Sequence, residues 1–142
     1  MNSILRNILA VLIGLVVGGF INSSLINIGM NTFPLEGIDP KSIDFLEKYR
    51  ELIPSLEFKY FIFPFLAHAI GTLIGAIIAG LLAVNHKMKF ALVIGAVFLF
   101  GGIMINYMLR GQIWFTIVDI LFAYIPMAWI GGTIALKFSK KK

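Results

Sequence analysis

A histidine and an aspartate stand inside segments that are otherwise almost wholly apolar. His68 lies within FPFLAHAIGTLIGAIIAG, and Asp119 lies within IWFTIVDILFAYIPMAWIGG. A charged carboxylate in hydrocarbon costs about 2.5–3.5 kcal/mol on insertion scales, so it usually faces the interior of a bundle and finds a partner there. A neighbouring carboxylate favours the protonated form of an imidazole. Such a pair has the chemistry of a site for a proton or a polar ligand.

Other polar side chains fall near the same ends of the apolar segments. At a helical rise of 1.5 Å per residue, His68 lies roughly 12 Å and Asp119 roughly 9 Å from one membrane face. Asn22 and Asn106 lie near the same face, at the ends of their spans. We therefore predict a polar pocket open to that face, with the histidine and the aspartate at its base. The pocket could bind a small polar molecule, a lipid headgroup or a proton. The candidate ligand-binding residues are His68, Asp119, Asn22, Asn106, Arg110 and Tyr107.

The same residues also have a purely structural interpretation. Asparagine and histidine side chains can join helices by hydrogen bonds worth about 0.6 kcal/mol each in a membrane. Asp119 could likewise form a structural ion pair with Arg110. The sequence leaves both interpretations open.

Nothing in the sequence indicates a metal site, a cofactor or a catalytic centre. There is no cysteine, and the two histidines, His68 and His86, fall near opposite membrane faces with no carboxylate three or four residues away. Ser23 and Ser24 have no nearby base in the sequence, and no glycine-rich phosphate loop follows a strand. We therefore expect neither a cofactor nor enzymatic activity.

The composition indicates a membrane protein. Hydrophobic residues make up 59% of the 142 residues and charged residues 13%, whereas a soluble domain is typically about 45–50% apolar and about 25% charged. Four apolar runs, at about 8–28, 60–84, 90–109 and 113–136, are each long enough to cross a hydrocarbon core of about 30 Å as a helix. None alternates with period two, so we predict one all-α domain over residues 1–142, a polytopic four-helix membrane bundle.

The basic residues predict the orientation of the bundle. One set of ends and loops carries seven Lys and Arg residues and no acid, whereas the other set carries five together with six acids. Because basic residues are enriched on the cytoplasmic side, we predict that both termini are cytoplasmic. The net charge of +5 then points to anionic membrane lipids as partners, not to nucleic acid. The seven basic residues are Arg6, Lys87, Lys89, Lys137, Lys140, Lys141 and Lys142.

Residues 30–57 form the one long loop, predicted on the exterior side between the first two spans. The segment GIDPKSIDFLEKYRELIP predicts an amphipathic helix over about 40–53. Asp39 suits the N-cap and Pro40 the first helical position, and Pro54 ends the helix. Such a helix would lie on the membrane surface or cap the bundle, either as a lid or docking site or as a plain connector.

Small residues recur at helical spacing. Gly14 and Gly18 form a GxxxG pattern in the first span, and Gly71 and Gly75 form another in the second. This spacing lets helix backbones approach closely in lipid. The contacts could lie within one bundle, or between the subunits of a homo-oligomer or a larger membrane complex.

The chain resembles a family of small four-span bacterial inner-membrane proteins whose activity is uncharacterised. The resemblance lies in ILRNILAVLIGLVVGGFIN, FKYFIFPFLAHAIGTLIGA, FALVIGAVFLFGGIMIN and IWFTIVDILFAYIPMAWIGG, which together cover nearly the whole chain. It implies four spans and a multi-pass protein of the bacterial cytoplasmic membrane. It brings no catalytic residue, ligand or partner.

Two classes of function remain. The first is a non-enzymatic accessory or assembly subunit of a membrane complex, which the small size and the small-residue faces favour. The second is a small transporter, or a ligand- or lipid-binding protein with an exterior-facing polar pocket, which the one-sided polar residues favour. A structure in which His68 and Asp119 point into lipid, or stand more than one helix apart, would remove the second class.

Overall fold

The structure of the protein, a computed structural model, describes residues 2–140; Lys141 and Lys142 of the basic C-terminal end lie outside the described residues. The described chain is helical and contains no β-strand. Four segments, α1, α3, α4 and the α5–α6 unit, are long and apolar enough to cross a membrane, which confirms an all-helical fold with four candidate spans. The helices are α1 (Ser3–Thr32), α2 (Phe45–Leu52), α3 (Lys59–Leu82), α4 (Lys87–Leu109), α5 (Ile113–Phe122) and α6 (Ile125–Ser139), and a 3-10 turn (Ile53–Ser55) follows α2.

The fourth apolar run is not one continuous helix. Ala123 and Tyr124 divide it into α5 and α6. Pro126 stands at the start of α6, where its missing N–H interrupts no helical hydrogen bond. Pro64, by contrast, lies inside α3, which continues through it. The division of the fourth run leaves Tyr124 buried inside the bundle, with 2% of its surface exposed.

α1 and α3 pack antiparallel through their glycines. A Cβ atom at Gly14 would lie 2.7 Å from the carbonyl oxygen of Gly75, and one at Gly18 would lie 2.6 Å from that of Gly71. Cβ atoms added to the two glycines of α3 would meet α1 backbone at similarly short distances. Backbones this close leave no room for a side chain between them. The two GxxxG patterns therefore pack against each other within one chain.

Small residues also join α6 to the bundle. A Cβ atom at Gly131 would lie 2.8 Å from the carbonyl oxygen of Leu73 on α3, and one at Gly95 on α4 would lie 2.5 Å from the Cβ atom of Ala128. Buried alanines surround Ile94 in the centre. Large apolar side chains such as Phe20 and Phe100 are instead mostly exposed on the outside of the bundle. This distribution suits a helical bundle whose surroundings are as apolar as its core.

The start of α1, the α3–α4 turn and the last turns of α6 lie at one end of the bundle, which we call the terminal end. Asn7 Nδ2 donates to Asn85 Oδ1 at 2.9 Å, and the backbone N–H of Val84 donates to Asn7 Oδ1 at 2.9 Å, so the start of α1 is joined to the α3–α4 turn. Lys87 Nζ donates to three carbonyl oxygens at the C-terminal end of α3, where a positive charge is favourable. The opposite end, which carries residues 33–58, is the loop end.

The helix of the long loop begins later than the sequence predicts. α2 covers only the second half of the range 40–53. Asp39 caps a turn and not a helix, because its Oδ1 accepts the backbone N–H of Lys41 at 2.9 Å. α2 lies over the loop end, where Tyr49 and Ile53 pack inward against side chains of α3 and α4.

Candidate functional site

His68, Asp119 and Tyr124 meet in the interior of the bundle. Asp119 on α5 is fully buried, and its Oδ1 lies 2.8 Å from Nδ1 of His68 on α3. The hydroxyl of Tyr124 lies 2.8 Å from Asp119 Oδ2 and 2.9 Å from His68 Nδ1. The structure therefore brings together the histidine and the aspartate that the sequence singles out, and adds a tyrosine that it does not.

Asn106 on α4 supplies a further donor to the carboxylate. Its Nδ2 lies 3.2 Å from Asp119 Oδ2 and 3.0 Å from the carbonyl oxygen of Gly102, while its Oδ1 accepts the hydroxyl of Thr116 at 3.1 Å. A buried carboxylate requires such partners, because an unpaired buried charge is strongly unfavourable. Four side chains form what we call the polar cluster: His68, Asn106, Asp119 and Tyr124.

Donor counting in the polar cluster assigns the roles of the two imidazole nitrogens. An ionised Asp119 side chain can only accept hydrogen bonds, and with it the tyrosine O–H, the amide N–H of Asn106 and the imidazole Nδ1–H are the three donors. Nδ1 of His68 is therefore occupied. Nε2 has no hydrogen-bond partner among residues 2–140 and is not sealed from solvent. Nε2 is thus the ring nitrogen that is available to a ligand.

The position of the Tyr124 hydroxyl depends on a glycine of α4. A Cβ atom at Gly102 would collide with this hydroxyl. A Cβ atom at the neighbouring Gly101 would meet no described atom within 4 Å. One member of this glycine pair therefore makes room for the polar cluster, and the other faces open space.

A cavity of about 500 Å³ begins at the polar cluster and extends to the loop end. The polar side chains of His68, Asn22 and Asn106 lie at its base. Asn22 makes no side-chain hydrogen bond within the described residues, so its amide is also available. α1 reaches along the whole cavity because its 30 residues extend about 45 Å, beyond a hydrocarbon core of about 30 Å. The walls are mostly apolar and include Ile26, Met30, Phe33, Leu46, Phe63 and Ile105.

The long loop and α2 cover the cavity, and Gln112 holds this cover in place. Nε2 of Gln112 donates to the carbonyl oxygens of Ile53 and Leu56, both at 2.9 Å. Tyr49 of α2 contributes its ring to the cavity wall. Burial raises the pKa of the Tyr49 phenol, so the group stays neutral at physiological pH.

Arg110 and Tyr107 do not join the polar cluster. Both are exposed, and with Arg50 they line a second groove, which shares Asn106 and Gly111 with the cavity. Arg110 ends α4 in a left-handed conformation, with φ 52°, and its side chain lies at the surface beyond the last turn of the helix. Asp119 pairs with His68 instead. The predicted site is therefore divided, with four of its six residues at the base of the cavity or beneath it and two in the groove.

Sequence reasoning missed Tyr124, Thr116 and the role of Gly102. The available signal for Tyr124 is its position two residues before Pro126, in an otherwise apolar run that also holds Asp119. If Pro126 is taken to end one helix and begin another, Tyr124 falls in the break, where its side chain can turn toward Asp119. No comparable signal marks the other two.

Comparison of the chain with protein-family models, with curated proteins and with solved structures finds no match. Residues 2–140 contain no group of three or more His, Asp or Glu side chains that could hold a metal ion. The structure supports a multi-pass membrane protein, because four helical segments are long and apolar enough to cross a bilayer.

Proposed function

We propose that this protein binds one small amphipathic molecule, a lipid or a lipid-like compound, in the cavity at its loop end, and that it does so without catalysing a reaction. The observation that carries this function is the composition of the cavity, with apolar walls and a polar base formed by His68, Asn22 and Asn106. Ligand sites are typically concave, largely apolar and about 300–1,000 Å³ in volume, with a few polar groups that orient the ligand. The cavity has each of these properties.

The unpaired groups at the base favour binding over a purely structural role. A structural cluster needs the bonds that Asp119 already receives from His68, Tyr124 and Asn106. Two further polar groups at the cavity, Nε2 of His68 and the amide of Asn22, have no partner among the described residues and contribute nothing to such a structural cluster. Both groups are suited to meet the polar end of a ligand, while its apolar part gains about 25 cal/mol for each Å² buried.

We further propose that the protein lies in the bacterial inner membrane with both termini in the cytoplasm and the cavity facing the exterior. The support is the distribution of charge, because the terminal end carries basic residues without acidic neighbours. Anionic membrane lipids are the expected surroundings of that end. The described basic residues there are Arg6, Lys87, Lys89, Lys137 and Lys140.

The accessory-subunit function loses one of its supports. The glycines that suggested subunit contacts, Gly14 and Gly18 on α1 and Gly71 and Gly75 on α3, contact each other inside one chain. Assembly with a second copy or another membrane protein would have to use other surfaces of the bundle.

The test is to purify the protein in a mild detergent and to identify the small molecules that it retains by native mass spectrometry. Ile26→Trp places a large ring in the cavity wall, and Val16→Trp adds the same ring to α1 at a position that is 72% exposed. We expect the wild type and Val16→Trp to retain a small molecule and Ile26→Trp to lose it. A stoichiometric protein partner, with no bound small molecule in any variant, would support the accessory subunit instead.

A further inference from the structure

We infer that the ligand's polar end is a protic acid, in the simplest case a carboxylic acid, which shares its proton with Nε2 of His68. This inference rests on the proposed function and specifies the ligand class. Nδ1 of the ring already donates to Asp119, so the head of the ligand can meet only the other nitrogen. The chemistry of that nitrogen therefore decides which head groups fit.

A carboxylic acid complements Nε2 in both states of the ring. A neutral imidazole offers a lone pair there and accepts the acid O–H, whereas an imidazolium offers an N–H that donates to the carboxylate. When the proton passes from acid to ring, the ligand O–H bond breaks and an N–H bond forms at Nε2. The carboxylate of Asp119 lies 2.8 Å from Nδ1, so the Nδ1–H keeps its acceptor whether or not Nε2 carries a proton. An ester complements only the imidazolium, and a quaternary ammonium complements neither state.

Asn22 can provide a contact to the second oxygen of the acid. A Cβ atom at Gly71 would lie 3.1 Å from the Cβ atom of Asn22, and Gly71 stands one helical turn after His68 on α3. Asn22 and His68 therefore line the same cavity from facing turns of α1 and α3. A carboxyl group has two oxygens, so it can engage Nε2 with one and the Asn22 amide N–H with the other.

The other charged and titratable groups around the base favour an acid over a cation. Asp119 and Tyr124 face the ring from the Nδ1 side, and the carboxylate is already occupied by its three donors. Tyr49 and Tyr60 are the titratable groups of the upper wall. A permanent cation at the base would thus meet the imidazole without reaching the carboxylate, which weakens its binding.

The test compares probes that share an unbranched ten-carbon skeleton and differ in the head: decanoic acid, decanol, methyl decanoate and decyltrimethylammonium. Binding to the purified wild-type protein is measured by calorimetry below the micelle-forming concentration of each probe. We expect the acid to bind about tenfold or more tightly than the ester and the ammonium, since a hydrogen bond to a charged group contributes about 1.5–3 kcal/mol. Decanol, which can donate to Nε2 but cannot ionise, should fall between them.

His68→Asn makes the test specific to Nε2. The shorter amide can keep a donor near the position of Nδ1 and so preserve the bond to Asp119, while the cavity-facing nitrogen is lost. We expect the preference for acid over ester to disappear in this variant and in Asn22→Leu, but to remain in Asn27→Leu, whose amide donates to the carbonyl of Ser23 on the same helix.

Three results are decisive. Equal binding of acid, ester and ammonium to the wild type would overturn the acid inference and leave the proposed binding function standing. Binding of no probe would overturn both. An acid preference that survives in a folded His68→Asn variant would overturn the assignment to Nε2. Because the comparison of head groups needs only the wild type, it remains valid if a variant fails to fold.

Discussion

Gly102 determines where the Tyr124 hydroxyl can lie, and this hydroxyl in turn donates to Asp119. We expect Gly102→Ala to push the tyrosine away and to remove one donor from the buried carboxylate. The combined overpacking and lost hydrogen bond should lower the free energy of unfolding by about 1–3 kcal/mol. Thermal unfolding in detergent measures the change, and retention of the cavity ligand should weaken with it.

The matched control for this prediction is Gly101→Ala, at the preceding position of α4. A Cβ atom there meets nothing within 4 Å in the described structure, and alanine favours helix over glycine by up to about 1 kcal/mol. We expect this variant to unfold at the same or a higher temperature than the wild type. Equal destabilisation by both substitutions would show that the Tyr124 hydroxyl is not where the structure has it.

The sequence singles out His68 and Asp119 of the polar cluster but not Tyr124, and the reason is geometric. His68 and Asp119 stand out because ionisable residues are rare in apolar segments. Tyr124 is five residues after Asp119, which in a continuous helix would place the two side chains about 140° apart, on different faces. Only the break between α5 and α6 brings them together. Arg110 is a poor candidate for a similar reason, because the turn after α4 carries it to the surface.

At the level of elements, one side chain holds the cover of the cavity. Gln112 Nε2 donates to carbonyl oxygens of Ile53, Pro54 and Leu56. We expect Gln112→Glu to release this segment, because a carboxylate has no proton to donate and repels the carbonyl oxygens. Hydrogen exchange and proteolysis within residues 53–58 should increase, and ligand affinity should fall several-fold, while the four long helices stay protected.

Glu51→Gln is the control for Gln112→Glu, because it changes the charge of the loop by one unit at an exposed position. It should leave both exchange and affinity unchanged. If Gln112→Glu also leaves them unchanged, the cover does not depend on these hydrogen bonds.

The packing of α1 on α3 gives a second element-level prediction. A Cβ atom at Gly18 would lie 2.6 Å from the carbonyl oxygen of Gly71 and 2.8 Å from the ring of Phe98, whereas one at Gly19 meets nothing within 4 Å in the described chain. We expect Gly18→Ala to force the helices apart and to reduce stability by about 1–3 kcal/mol or more, with Gly19→Ala neutral. Thermal unfolding of the two purified variants measures the difference. A neutral Gly18→Ala would contradict the contact between the two GxxxG patterns.

Long elements are easier to predict than short ones in this chain. The long apolar runs appear as helices because about 20 consecutive apolar residues outweigh any local preference. The start of α2 differs from its prediction because Asp39 can cap either a helix or a turn, and here it bonds to Lys41 in a turn. Pro126 coincides with the division of the fourth run, but α3 continues through Pro64, so a proline alone does not show which apolar run is divided.

On the scale of the whole molecule, the buried carboxylate of Asp119 and the side chains bonded to it lie in the loop-end half of the interior, whereas buried Asn7 joins helices at the terminal end. Small residues fill the centre, and the polar cluster lies between α3, α4 and α5, directly below the cavity. The outside carries large exposed apolar side chains, of which Phe20 is 71% exposed. Such a surface is unfavourable in water and suitable in lipid. A ligand with an apolar tail can therefore come from the bilayer or from the space beyond the loop end.

The side of the membrane that the loop end faces decides whether a ligand from beyond that end is external or cytoplasmic, and a fusion experiment determines this side. Arg6, Lys87 and Lys89 favour a cytoplasmic terminal end. We therefore expect alkaline phosphatase to be active when it is inserted within residues 36–44 and inactive when it is fused to the C-terminus. Green fluorescent protein fused to the C-terminus should fluoresce. The matched control inserts the phosphatase in the α3–α4 turn, which lies at the terminal end and should be inactive. The opposite pattern would place the cavity on the cytoplasmic side, where an acid ligand would be a product of cellular metabolism and not an envelope or external compound.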